Sequence, residues 1–468
     1  MTASRFDRSL VEGPIPSAVW KLAWPTMLQN LIGGLQGIID HALVGHFVGY
    51  TANAGIGVSW QIVIVGLMFV SSIYTGMGVL VARFAGSNRP DQVNRVVYQA
   101  TLATLAIGLL VVGPLGYLAS PALLRFVNAA PAVQAQALPF LRTFLLGSVG
   151  MLLFFMIGGA LRAAGDARTP LRLGIALTVL NVACNVALIS GVGPRPALGT
   201  RGAALGTVIA SAIVSGYGLW LIARGGLVVQ FPASGWERPD PATLRELLRF
   251  GLPAGVQGVV MNVAGVLLLR FIGSLPQSAE AQAAFAVGYT ELFSFITWTS
   301  VGLMGATATL AGQNLGAGRP ERVSEATAVA ARIGLGIAAI IGTLFLLAPR
   351  HLLALFGMTD PGVVALGVQL LRYLAVSGFF ISVALAYTGG LQGTGDTRSP
   401  LAISLVSQVA VPIGTCWWVQ SSVGLWPAAI WSAIVAGHVT RCALSVLRFR
   451  QGRWRRIAVG LEPSGASS

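Results

Sequence analysis

The segment GALRAAGDARTPL at residues 159–171 returns as GGLQGTGDTRSPL at residues 389–401. Gly165, Asp166, Arg168 and Pro170 match Gly395, Asp396, Arg398 and Pro400 at an offset of 230 residues. The same offset pairs GSNRPDQV at 86–93 with GAGRPERV at 316–323, Arg142 with Arg372, and Phe126 with Phe356. Near the starts of the two copies, Pro25 and Gln29 match Pro253 and Gln257 at an offset of 228. Agreement in several separate loops marks a duplication. Between these loops run apolar stretches of the length that a helix needs to cross a bilayer. There are about twelve, at roughly 17–46, 53–82, 95–118, 134–160, 170–191, 200–223, 244–273, 282–312, 325–348, 362–391, 399–420 and 426–447. Six spans per copy is an even number, so both copies keep one orientation. That is a parallel repeat, related by an axis along the membrane normal.

Composition agrees. Of 468 residues, 55% are hydrophobic and 10% charged, with a mean hydropathy of +0.76. Soluble domains carry about 25% charged residues. The expectation is an all-α integral membrane protein; a β-barrel would alternate rather than run apolar. The first 16 residues are polar and the first apolar run is too long for a signal-peptide core, so insertion without a cleaved signal is expected. The formal charge is +15, but the arginines sit between apolar runs, as the positive-inside rule requires, and do not point to nucleic acid. Counting them places Arg89, Arg168, Arg319, Arg398 and the run Arg448–Arg456 on the cytoplasmic side. Arg125, Arg195, Arg201 and Arg350 fall on the other, and both termini are inside. Lys21 is the one lysine, a bias that suits a GC-rich bacterial gene and an inner-membrane location. Trp417, Trp418 and Trp426 fit an outer aromatic belt. The resulting division is a cytoplasmic tail at 1–16, a first lobe at 17–223, a linker at 224–243, a second lobe at 244–447 and a basic tail at 448–468. Asp240 and Pro241 read as the cap and first turn of the helix leading into span seven.

Of fifteen acids, Asp40 and Glu291 fall well inside spans. An ionised carboxylate at the bilayer centre costs about 2.5–3.5 kcal/mol on insertion scales. Such a group must face a cavity, find partners or take up a proton. Gln29, Gln36 and Asp40 fall on one stripe of span one. Asn181 and Asn185 lie one turn apart in span five, and Thr207 in span six is expected to join them. His41 would be the neighbour of a purely structural Asp40, and Thr290 or Ser294 those of a structural Glu291. Pro25 and Pro253 each remove a helix hydrogen bond and permit a bend. The GDxRxP loops read as turns fixed by an Asp–Arg pair beside a helix-starting proline. Cys184, Cys416 and Cys442 stand alone, without metal or disulfide spacing. No phosphate-binding GxxxxGK[ST] loop is present, which speaks against ATP-driven pumping.

These residues carry a family resemblance. DHALVGHFVG at 40–49, GAGRPERV, the paired GDxRxP loops and NVACNVALI at 181–189 resemble multidrug and toxic compound extrusion (MATE) transporters over essentially the whole chain. RFRQGRWRRI at 448–457 resembles the DinF-like bacterial branch. The resemblance implies two pseudo-symmetric six-helix lobes around a central cavity. It implies a secondary active antiporter, not an enzyme, that exports amphipathic, often cationic compounds by alternating access. Coupling would be to protons, less readily to sodium, with no cofactor. It also places a cation-coupling carboxylate at Asp40, with Gln36, Asn181, Asn185 and Thr207 as companions. The NorM branch has a glutamate in span seven where this chain has Met261, and archaeal relatives have an aspartate at the position of Asn185. Glu291 matches a span-eight glutamate of eukaryotic-type members. Cavity lining is expected from apolar and aromatic residues: Met68, Phe69, Phe154, Phe155, Met156, Met261, Phe293, Phe295 and Trp298. A monomer among membrane lipids is expected. A lipid-linked sugar flippase would need arginines inside its cavity. A membrane-embedded enzyme would need a catalytic cluster and a larger outer loop.

Overall fold

Helix after helix begins at a proline, because proline's fixed φ suits a first turn and its missing N–H is not needed there. Pro90–Ala106, Pro131–Leu146, Pro241–Gly273, Pro320–Leu347, Pro361–Gly393 and Pro427–Arg450 all start this way in the computed structural model. The structure describes residues 5–127, 129–191, 197–232 and 238–460. Arg195, assigned to the outer side, lies outside the described residues, as do parts of both tails and of the linker. Among the described residues there is no strand.

Among the described residues nine helices are long and apolar enough to cross a membrane, or ten when the pair Pro131–Leu146 and Val149–Ala163 counts as one bent span. The remaining two expected spans are helical as well. Span one is Ile15–Phe47, and its apolar content is diluted by Gln29, Asn30, Gln36 and Asp40. Span eight is divided into Ser278–Phe285, a π-helical stretch Ala286–Leu292, and Ser294–Gly316.

Several expected straight spans are interrupted. Span four bends by 54° after Leu146. A Cβ on Gly147 would lie 2.4 Å from a Val208 methyl, so glycine leaves the room in which Val208 packs against the bend. π-helical stretches occur at Ile107–Val112 in span three and Leu405–Ala410 in span eleven. Pro114 and Pro412 follow them closely, and each removes a donor that the helix would otherwise aim at the preceding turn. In span eight the wide turn closes with Phe293 N–H donating to the Gly288 carbonyl at 3.0 Å.

The chain divides into two compact units. One comprises residues 1–7, 28–255 and 459–468; the other comprises 8–27 and 256–458. Two boundaries fall inside span one and span seven, each two residues beyond a proline, Pro25 and Pro253. The first unit has an apolar core of Val44, Ile56, Leu124, Phe140, Leu141 and Phe144. The second packs Ile272, Phe293, Leu370, Leu371, Trp431 and Ile434.

Each unit fixes the segment leading into a first span. In the second unit, Asn314 Nδ2 donates to Leu10 O at 3.2 Å, Arg319 to Val11 O at 2.7 Å and Arg322 to Gly13 O at 2.6 Å. In the first, Gln99 donates to Arg238 O at 3.0 Å and Arg95 pairs with Asp240 at 3.1 Å. The GDxRxP aspartates are helix caps. Asp166 Oδ1 accepts from the Arg168 and Thr169 amides at 3.0 and 2.9 Å, and Asp396 Oδ1 from Ser399 N at 3.2 Å. The ion pair of Asp396 is with Arg448 at 2.9 Å, not with the motif's Arg398. The expected Asp–Arg pairing within the motif is corrected accordingly: backbone amides already occupy one carboxylate oxygen. Span ten meets span eight through glycines, and a Cβ on Gly393 would fall 2.0 Å from Ala308 O. Such close approach is how helices associate where no hydrophobic force acts between them.

Two outcomes follow from this packing. Gly393→Leu should cost about 1–3 kcal/mol, read as a lowered melting temperature of the detergent-solubilised protein. Asp240 accepts from Thr243 Oγ1 at 2.6 Å and from Ala242 N at 3.1 Å. These bonds, Thr243 first and then the Ala242 amide and Arg95, hold its carboxyl below the usual range against a smaller desolvation penalty. A depressed folded-state pKa contributes stability above the ordinary aspartate range and loses it as the pH falls. Asp240→Ala should therefore cost about 1 kcal/mol at neutral pH. The gap to the wild type should narrow as the pH falls below the ordinary aspartate range, in the same melting assay.

Candidate functional site

An asparagine carries two N–H donors on one nitrogen, and Asn185 uses that nitrogen twice. Its Nδ2 donates to Asp40 Oδ1 at 2.8 Å and faces Asn181 Oδ1 at 3.3 Å. Asn181 Nδ2 in turn donates to Thr207 Oγ1 at 3.0 Å, and Thr207 donates to the Ala203 carbonyl at 3.2 Å. The chain thus runs from span one across Arg168–Ile189, span five, to Gly199–Ala223, span six. All of it is interior: Asp40 is 9% exposed, Asn185 1% and Asn181 0%. The i, i+4 spacing of Asn181 and Asn185 puts both amides on one helix face, as the sequence requires.

The stripe on span one is pinned at further points. Thr178 Oγ1 donates to Gln36 Oε1 at 2.8 Å, and Arg162 Nη1 donates to Gln29 Oε1 at 3.1 Å. Sequence reasoning missed Thr178. It lies three residues before Asn181 on the same face, so helical spacing could have found it. Gly206 was also missed. A Cβ there would fall 1.9 Å from Asn185 Oδ1, so glycine leaves the space in which the amide sits. Asn185 Oδ1 is buried and has no hydrogen-bond partner. His41 makes no hydrogen bond to Asp40; its Nδ1 meets Asn53 Oδ1 at 2.6 Å.

The structure brings together Gln36, Asp40, Asn181, Asn185 and Thr207 in the first unit. Glu291 belongs to the second unit and is not part of this cluster. It sits half-buried in the π-helical stretch of span eight. Ser294 donates to its backbone carbonyl, not to its carboxylate. Met68 and Phe154 lie in the first unit, half-buried and buried; Phe154 contacts Phe155 edge-on at 5.7 Å. In the second unit Met261, Phe295 and Trp298 are half-buried, and the Phe295 and Trp298 rings are 5.7 Å apart. Met156 and Phe293 are fully enclosed: Phe293 stacks on His438 at 5.8 Å within the core. Both are packing residues here, which corrects their expected place in a cavity wall. Among the described residues no three His, Cys, Asp or Glu side chains gather where a metal could be held.

A family model described as MatE matches residues 25–187 and 253–418, one block in each copy of the duplication. Over 98% of both chains, the sequence is 27% identical to a probable multidrug resistance protein NorM of Thermotoga maritima. It is 26% identical to the multidrug resistance protein PmpM of Pseudomonas aeruginosa, over 93% of this chain and 91% of that one. A solved outward-facing multidrug resistance MATE family transporter of the MOP superfamily superposes with a TM-score of 0.88 at 19% identity. The match covers 98% of this chain and 100% of that one. That likeness concerns the fold alone, all-helical and of two lobes.

Gly206→Ala should push the Asn185 amide off Asp40 and cost about 1–3 kcal/mol. In the Asn185→Ala background the same change should add little, because the clashing atom is gone. A double-mutant cycle by thermal melting reads the difference, and additivity within about 0.5 kcal/mol would refute the packing argument.

Proposed function

The chain belongs to the MatE family, whose members are transporters, and from that premise we propose a secondary active antiporter. It exports amphipathic, often cationic compounds from a bacterial cell across the inner membrane, with both termini cytoplasmic. Inward proton flow drives it in preference to sodium. The observation that carries this reading is the hydrogen bond of 2.8 Å from Asn185 to Asp40 inside a buried network.

The chemistry is a change of donor. An ionised Asp40 accepts from Asn185 Nδ2. A protonated Asp40 becomes an O–H donor and needs an acceptor. Asn185 Oδ1 is the buried oxygen without a partner. Turning the amide over would present it to Asp40 and withdraw Nδ2 from Asn181. Protonation therefore rewrites the bonds joining spans one, five and six. Gln36 and Thr207 hold the two ends of that set. Pro25 and Pro253 are the points at which spans one and seven yield. Glu291 is assigned as a second proton site or a counter-charge for a cationic substrate. Met68, Phe154, Met261, Phe295 and Trp298 are assigned to substrate contact, since apolar side chains line such cavities and the aromatic faces among them attract cations.

The lipid-linked sugar flippase is a weaker reading. Arg441, in span twelve, is a buried mid-span arginine that sequence reasoning passed over, but it is 6% exposed and enclosed by packing. A pyrophosphate needs accessible cations.

Dye efflux from proteoliposomes under an imposed pH gradient, sodium-free, tests the proposal. Wild type should export. Asp40→Asn, which fixes a neutral side chain, should lose gradient-driven export by about a hundredfold or more. Export that persists in Asp40→Asn, or that needs sodium in the wild type, would move the coupling site away from Asp40.

A further inference from the structure

Within the second unit, span ten and span twelve leave a groove of about 550 Å³ between them. Val376, Val435, Ala436 and Val439 wall it, and Arg372 with Tyr373 stands at its head. Both helices are apolar enough to cross a membrane. Arg372 is exposed, and among the described residues no hydrogen bond, ion pair or aromatic ring engages it.

The first copy disposes of the equivalent charge differently. Arg142 lies over the Tyr117 ring at 4.6 Å. At the offset of 230, Tyr117 corresponds to Leu347, so the second copy has no ring to offer. Arg372 therefore keeps an uncompensated guanidinium on a membrane-spanning helix, where an unpaired arginine is costly.

Depth decides what can pair with it. Span ten has 33 residues and is about 50 Å long, against a hydrocarbon core of about 30 Å. Arg372 is eleven residues along from Pro361, or about 16 Å. With the overhang shared between both ends, its Cα lies about 6 Å below the headgroup boundary. An arginine stem spans that distance and brings the guanidinium to phosphate level. We propose that this groove is a binding site for one anionic phospholipid. Arg372 pairs with the phosphodiester in bidentate fashion, and an acyl chain lies along Val376, Val435, Ala436 and Val439. The apolar wall selects a lipid over a free anion, and the arginine disfavours a cationic amphiphile. The proposal is independent of what the protein transports.

Native mass spectrometry of the full-length protein with phosphatidylglycerol or phosphatidylcholine tests it. Wild type should retain its most tightly held phosphatidylglycerol about fivefold better than phosphatidylcholine, the worth of one arginine at a lipid surface. Arg372→Gln should erase that preference and Arg372→Lys should keep most of it. Val439→Trp, which fills the groove and leaves the charge, should lower retention of phosphatidylglycerol. Three results would overturn the site: equal retention of both lipids by the wild type, an undiminished preference in Arg372→Gln, or displacement of the lipid by equimolar inorganic phosphate.

Discussion

Asn185 keeps a carboxylate inside a membrane-spanning bundle, and the polar order of the first unit follows from that bond. Where water is absent, every donor needs an acceptor. The donors here all point outward from Asn185. One goes to Asp40, another toward Asn181, whose own amide goes to Thr207, whose hydroxyl ends on the Ala203 carbonyl. The chain of donation terminates in a helix backbone and needs no further side chain. Gly206 is part of the same arrangement, because the amide occupies the volume that any larger residue would fill.

The duplicated second copy shows that the fold does not require this network. Asp40 corresponds at the offset of 228 to Leu268, and Asn181 and Asn185 at the offset of 230 to Val411 and Thr415. Leu268 belongs to the apolar core there. Both copies keep helix-starting prolines, capping aspartates and close-packed glycines. What diverged is chemistry at interior positions. Arg142 and Arg372 diverged in the same way, one stacked on an aromatic ring and the other left on the surface.

Much of this was legible in the residues. Bilayer length sets helix length, so the segments emerged from apolar runs; helical spacing put Gln36 with Asp40 and Asn181 with Asn185, and the family resemblance joined these pairs with Thr207. Interruptions were harder to see. The wide turns after Ala106 and Ser404 depend on Pro114 and Pro412 acting backward along the helix, whereas Pro121 and Pro139 sit inside helices without such an effect. The packing of Val208 against the bend at Gly147 is a contact between distant residues. Gly206 and Thr178 hide for the same reason: their role exists only across a helix interface. The two lead-in segments are fixed by residues that are not equivalents. Arg319 and Arg322 serve one; Arg95 and Gln99, whose counterparts are Glu325 and Val329, serve the other. No repeat analysis could assign those contacts.

Span one joins these strands of argument. Its first part, to Met27, belongs to one compact unit and the rest to the other, and Pro25 lies just before the change. Beyond that point three polar residues on one stripe tie it to neighbouring helices: Gln29 to Arg162, Gln36 to Thr178 and Asp40 to Asn185. The first two ties join groups whose protonation does not change at physiological pH. Only the third can be rewritten by a proton. A helix held at three points and released at one pivots about the remaining two, and its yielding point is the residue whose backbone bond is already missing. In the proposed cycle, the proton's site of action and the helix's point of weakness therefore lie on one continuous element, fifteen residues apart, so a local change of charge needs no other carrier to reach the bend.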